Sequence, residues 1–202
     1  MEKKLFEYFA HPVFQYKVEN YENHNKALLK YILELNKEDS KGQKLSNING
    51  WHSPLFNLQD KNNEGFKFLV SLQPYLLDVF KSYGWVYDPR KVKCSGMWAI
   101  INKKGNFNTE HIHANSNLSA AYYVKAPEKC GDFKVVTPHS ISRDKYPPRE
   151  KPTELNRLVA NHKVQEGDLL IFPSYLPHSV QPNESDKDRI VKLSDDISVG
   201  LK

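Results

Sequence analysis

The chain has 202 residues, enough for one domain with a buried core. Its eleven Tyr, ten Phe and three Trp exclude a disordered chain and favour a β-rich globular one. The net charge of +5 rests on scattered rather than clustered lysines, which argues against a nucleic-acid surface.

The first apolar run, Pro12 to Val18, reads as an edge strand. In "NHNKALLKYILELNKED" the residues Leu28, Leu29, Ile32, Leu33 and Leu35 fall near a 3.6 period, which predicts a helix. "SNINGWHS", Ser46 to Ser53, reads as a loop that ends it. A second helix is predicted in "GFKFLVSLQPYLLDVFKSYG", with Pro74 set to kink or break it. No apolar run approaches the roughly 18 residues that span a bilayer, and "MEKKLFEYFAHPVFQYKV" lacks the features of a signal peptide. The expectation is a cytoplasmic protein without a membrane segment. Cys94 and Cys130 belong to no CxxC pair and read as reduced thiols, with one disulfide as the alternative.

From Lys91 onward the pattern changes. "KVKCSGMWAIIN", "LSAAYYVKA", "DFKVVT", "NRLVANHKV", "DLLIFP", "HSVQP" and "RIVKLSDDISVG" are short runs separated by Gly, Pro, Asn and Asp. Such a succession predicts an all-β, jelly-roll-like core rather than a βαβ fold. Residues 1–88 are then a helical and strand support region, and 89–202 the core of a single domain. Arg143–Thr153, rich in Pro and charge, reads as a long loop or lid.

Three features of this core carry chemistry. His111 and His113, two apart at a strand or strand end, project to one face and can share a metal ion, although such a pair is commonly incidental. His178 lies in an apolar setting after Pro177, where an unpartnered imidazole is poorly placed. Arg189 opens the last strand on one face with Val191 and Leu193, so its guanidinium points inward. It wants either a bound carboxylate or an Asp or Glu of the chain. His11, His24 and His162 read as surface residues, while His52 and His139 read as loop residues. No phosphate-binding glycine loop and no nucleophile elbow is present.

Taken together, "HIHANSNLSAAYYV" and "GDLLIFPSYLPHSVQPNESDKDRIVKL" resemble two blocks of the Fe(II)/2-oxoglutarate-dependent dioxygenases, especially the prolyl-hydroxylase-like branch and its small oxygenases. The resemblance is sharpest from Trp98 to Ile197. It implies a double-stranded β-helix with Fe(II), 2-oxoglutarate and O₂ as reactants. O₂ would be split, 2-oxoglutarate decarboxylated to succinate and CO₂, and an unidentified substrate hydroxylated. His111 matches the first iron ligand and His178 the distal one. Arg189 matches the residue that binds the far carboxylate of 2-oxoglutarate, and Tyr123 a tyrosine that assists it. Tyr122 would face the core on the other side of the strand. Asn102 stands where it could line the pocket or cap a turn.

The sequence departs from the family at His113, which stands in the place of the usual carboxylate. Three neutral imidazoles leave the metal more positive than two imidazoles and an acid, while keeping an open face. An alternative register pairs His113 with Asn115, a weaker donor. Two other readings stay open: a cupin-like three-histidine metal enzyme that does not use 2-oxoglutarate, and a non-catalytic jelly-roll binding module. Asp195 and Asp196 fall where relatives carry an apolar–Asn pair, a second departure.

Overall fold

The computed structural model describes residues 2–5, 9–139, 147–153 and 155–199. Chain order begins with β1 (Phe14–Lys17), α1 (Tyr21–Glu38), β2 (Asn47–Ile48), β3 (Trp51–His52), α2 (Glu64–Ser71) and α3 (Gln73–Ser82). It continues with β4 (Val92–Asn102), β5 (Phe107–His111), β6 (Leu118–Lys125), β7 (Phe133–Val136), β8 (Val159–His162), β9 (Asp168–Pro173), β10 (His178–Val180) and β11 (Arg189–Val199). These strands form a six-stranded sheet, β1-β9-β6-β11-β4-β3, and a five-stranded sheet, β2-β5-β10-β7-β8. All pairings are antiparallel, giving the double-stranded β-helix.

Strand β6 shows how the core is divided. Every residue from Leu118 to Val124 is buried, because both faces of its sheet are covered. Leu118, Ala120, Tyr122 and Val124 pack with the helices, against Phe68, Leu28 and Ile32. Ala121 and Tyr123 join Phe133, Phe172 and Val191 in the other cluster, between the sheets. Burying each large apolar side chain stabilises the fold by about 1.5–3 kcal/mol. The expected inward and outward placement of Tyr123 and Tyr122 holds; Tyr122 donates to Asn25 Oδ1 at 2.6 Å.

Pro74 breaks the second helix rather than kinking it. It occupies the first turn of α3, where its missing N–H is harmless, and α2 stops at Ser71. The side chain of Asn63 caps α2 by accepting from Gly65 N at 2.8 Å.

Two local expectations change. "SNINGWHS" is a tight hairpin-like link whose β2 and β3 add one strand to each sheet. Its turn residue Asn49 has φ 60°, a left-handed conformation that Asn tolerates. Strand β5 is too polar to be read as a strand; its sequence FNTEH has one buried residue, Asn108. Of the anticipated Arg143–Thr153 lid, residues 143–146 lie outside the described residues. No helix among the described residues is long and apolar enough to cross a membrane.

Candidate metal and cofactor site

β5 ends at His111 and β10 begins at His178, and these two residues are register partners across the five-stranded sheet. His113 follows past the strand end, held by its backbone N–H donating to Ser174 O at 2.9 Å. Ring nitrogens of the three histidines all lie within 4.8 Å of one another. Metal–nitrogen bonds of about 2.1 Å place cis ligands roughly 3 Å apart, and His113 Nε2 lies 3.2 Å from His178 Nε2. Asn115, the donor of the alternative register, is exposed in a turn at φ 65°.

Backbone carbonyls set the tautomers. His178 Nδ1 lies 2.8 Å from Leu176 O, and His111 Nδ1 lies 2.8 Å from Thr109 O. Each contact requires Nδ1–H, so the neutral rings carry their lone pairs on Nε2, toward the cluster. Burial, reinforced by the neighbouring His111, pushes the His178 pKa down to about 3. His178 is therefore neutral and able to ligate across the physiological range.

A narrow cavity runs from this cluster between the sheets. Its lining includes His111 and His178, the apolar Phe133, Ala121 and Val191, and the polar Tyr123, Asn102 and Arg189. Arg189 opens β11 opposite Asn102, and its side chain is 0% exposed. One NH1 donates to Cys130 O and to Gln181 O, the latter at 2.8 Å. Nε and the second terminal nitrogen of Arg189, and the Tyr123 hydroxyl, are buried without partners. No carboxylate among the described residues pairs with Arg189. Burial lowers the Arg189 pKa and raises that of Tyr123, which keeps the phenol protonated and able to donate. These orphaned donors fit a carboxylate, and the three clustered imidazoles fit a divalent transition metal.

Asn102 lines the cavity rather than capping a turn. Its Nδ2 donates to Asn108 Oδ1 at 3.0 Å, and its buried Oδ1 has no hydrogen-bond donor. That oxygen sits against Gly50, where an added Cβ would lie 2.1 Å away. The remaining histidines are elsewhere. His11 Nε2 lies 3.1 Å from His139 Nε2 beside an open groove, His24 packs on Phe68, and His162 is half-buried near Phe133. His11, His24 and His162, read as surface residues, are each half-buried, and His139 is exposed outside any strand or helix. His52 is buried on β3 and stacked on Trp98, which sequence reading did not mark as functional. Neither Cys94 nor Cys130 is in a disulfide.

Residues 96–194, about half of the chain, match a family described as "Putative 2OG-Fe(II) oxygenase". Among solved structures the fold is similar to a prolyl-4-hydroxylase of Pseudomonas putida, at 13% identity and TM-score 0.65, over 94% of each chain. It is also similar to the collagen prolyl hydroxylase of Paramecium bursaria Chlorella virus-1 in its 2-oxoglutarate complex. There the identity is 12% and the TM-score 0.59, over 91% of this chain and 94% of that one. HygX of Streptomyces hygroscopicus, with nickel and 2-oxoglutarate bound, aligns at 11% identity and TM-score 0.60, over 92% of this chain and 82% of its own. A comparison with curated proteins finds no match. The family match spans β5, β6, β10 and the start of β11, the strands that bring together the three histidines, Tyr123 and Arg189, and the chain belongs to the Fe(II)/2-oxoglutarate-dependent oxygenase superfamily.

Proposed function

We propose that His111, His113 and His178 hold Fe(II), that Arg189 and Tyr123 receive the far carboxylate of 2-oxoglutarate, and that the enzyme hydroxylates a separate organic substrate. The observation that carries this reading is the buried guanidinium of Arg189. It has two unpaired nitrogens, and it lines a cavity that His111 and His178 also line. A buried unpaired cation is strongly destabilising, and a carboxylate arriving with the cosubstrate supplies the missing partner. A three-histidine enzyme without 2-oxoglutarate would leave Arg189 unexplained.

Bound Fe(II) supplies O₂ activation coupled to decarboxylation of 2-oxoglutarate. The chain's own contribution is to hold and orient. The Thr109 and Leu176 carbonyls fix the imidazoles of His111 and His178. Arg189 and Tyr123 orient the cosubstrate, and Phe133, Ala121 and Val191 exclude water along its length.

Arg189→Gln tests this reading. Calorimetric titration under anaerobic conditions should show about 30- to 150-fold weaker 2-oxoglutarate binding, the loss of charge-assisted hydrogen bonds worth roughly 2–3 kcal/mol. Fe(II) stoichiometry should stay unchanged. Equal affinity for 2-oxoglutarate in both proteins would remove Arg189 from this role.

A further inference from the structure

The row of residues that carries the metal cluster continues across the five-stranded sheet. His111 pairs with His178, His178 with Val135 of β7, and Val135 with Ala160 of β8. Direct register partners share one face of a sheet, so Val135 and Ala160 lie on the face of the two histidines. At the spacing of neighbouring strands their Cα atoms are about 5 and 10 Å from that of His178. Phe133, two residues before Val135 and on the same face, stacks on the His178 ring at 5.5 Å.

Val135 and Ala160 also line an open groove of ≈ 610 Å³, a volume suited to a small molecule. Leu176 lines it too, and its carbonyl accepts His178 Nδ1–H, so groove and metal cluster share a supporting loop. The polar lining comes from distant parts of the chain. His11 Nε2 lies 3.1 Å from His139 Nε2, and His11 Nδ1 lies 3.1 Å from the Tyr175 hydroxyl. One ring must donate to the other, and an added proton turns the pair into an imidazole–imidazolium cation on the same hydrogen bond. Arg157 lines the groove as well, and the described lining contains no Asp or Glu. The segment carrying Arg157 is held at Asn156, whose carbonyl accepts from Arg149 at 2.5 Å and whose Oδ1 accepts from Thr153 N at 2.7 Å. Phe9, 88% exposed, adds apolar surface that water covers in the free protein.

We propose that this groove receives the primary substrate, and that the substrate is a small monocarboxylic acid with an apolar body. This rests on the assignment of the histidine cluster and Arg189 given above. Arg157 and the His11–His139 pair hold the carboxylate through charge-assisted hydrogen bonds, and the apolar body lies over Val135, Ala160 and Leu176 beside the cluster. The metal also attracts a carboxylate. However, 2-oxoglutarate brings two negative charges to the cluster and Arg189, which repel a further anion there, whereas the groove offers cations and no described acid. The two placements differ in which end of the substrate lies nearest the ion.

The test uses the full chain loaded with Mn(II) and saturated with 2-oxoglutarate, which keeps the probes from Arg189. The probes are 4-phenylbutyrate and its amide, followed by calorimetry and by the relaxation that Mn(II) induces in their protons. The acid should bind at least about tenfold more tightly than the amide. Its ring protons should relax faster than the methylene beside the carboxylate. Arg157→Gln and His11→Gln should each weaken acid binding at least about fivefold and leave the amide unchanged. Melting curves show that the variants fold. Equal or tighter binding of the amide, binding of neither probe, fastest relaxation beside the carboxylate, or undiminished acid binding by the folded variants would overturn the proposal. If the parent binds neither Mn(II) nor 2-oxoglutarate, the assignment of the histidines and Arg189 fails first. The preference for the acid, and its loss in Arg157→Gln, still report on the groove by calorimetry.

Discussion

His113 replaces an acid with a neutral ring, and this changes the charge balance of the centre. Its Nε2 lies 3.2 Å from that of His178, close to the separation that a shared metal imposes. If His113 is a ligand, His113→Ala should lower Fe(II) affinity at least about tenfold, measured by competition with a chelating dye. His113→Asp, which returns an anionic donor, should recover most of it. Unchanged affinity in His113→Ala would confine the metal to His111 and His178. The sequence exposed these residues through the spacing of "HIH" and the apolar setting of His178. It did not expose Trp98 or His52, because a Trp in a strand reads as core and a His in a Gly–Asn link reads as loop. Only the register of β3 on β4 puts His52 under the Trp98 ring.

Strand β11 carries a buried cation on each face. Arg189 faces the cavity, while Lys192 lies among the helix-facing residues, 1% exposed, with Nζ 4.0 Å from the Phe68 ring centroid. Burial pushes the Lys192 pKa down to about 7 from an ordinary 10.5. Because the folded pKa is depressed, the unfolded chain binds a proton that the folded one resists. The resulting penalty is absent above pH 10.5, grows as pH falls toward 7, and is complete below that. The Phe68 ring offsets about 2 kcal/mol of it at most. Lys192→Met should therefore stabilise the protein by roughly 1–4 kcal/mol at pH 6–7. Urea unfolding should show that gain shrinking as pH rises toward 10.5. A gain independent of pH would mean that packing, not charge, is responsible. In the sequence Lys192 looks like an ordinary solvent-facing strand residue, since alternation assumes one wet face. Here α1 and α2 cover that face as well.

At the scale of the whole molecule, metal and cosubstrate should act as folding ligands, since the unfolded chain cannot assemble residues 111, 113, 178 and 189. At a hundredfold excess over its dissociation constant, each contributes about 2.7 kcal/mol, or roughly 5–10 °C in melting temperature for a chain of this size. Fe(II) should raise the melting temperature under anaerobic conditions, 2-oxoglutarate should raise it further, and EDTA should reverse the metal's share. No response to either ligand would contradict the assembled site.

The sequence by itself determined the class of the fold. Period-2 runs broken by turn residues from position 91 onward, and a 3.6 period before them, admit few arrangements other than a β core with helices against one sheet. It also determined the candidate ligands and Arg189, because their residue types are costly to bury without partners. Tertiary structure alone decided which of those groups remain unpaired. Whether a guanidinium, a phenol or an indole N–H finds an acceptor depends on how separate strands and loops close on one another, and no local pattern records it. That is why Arg189 was legible as a buried cation, while its two free nitrogens and the unpaired N–H of Trp98 became visible only when the sheets were closed around them.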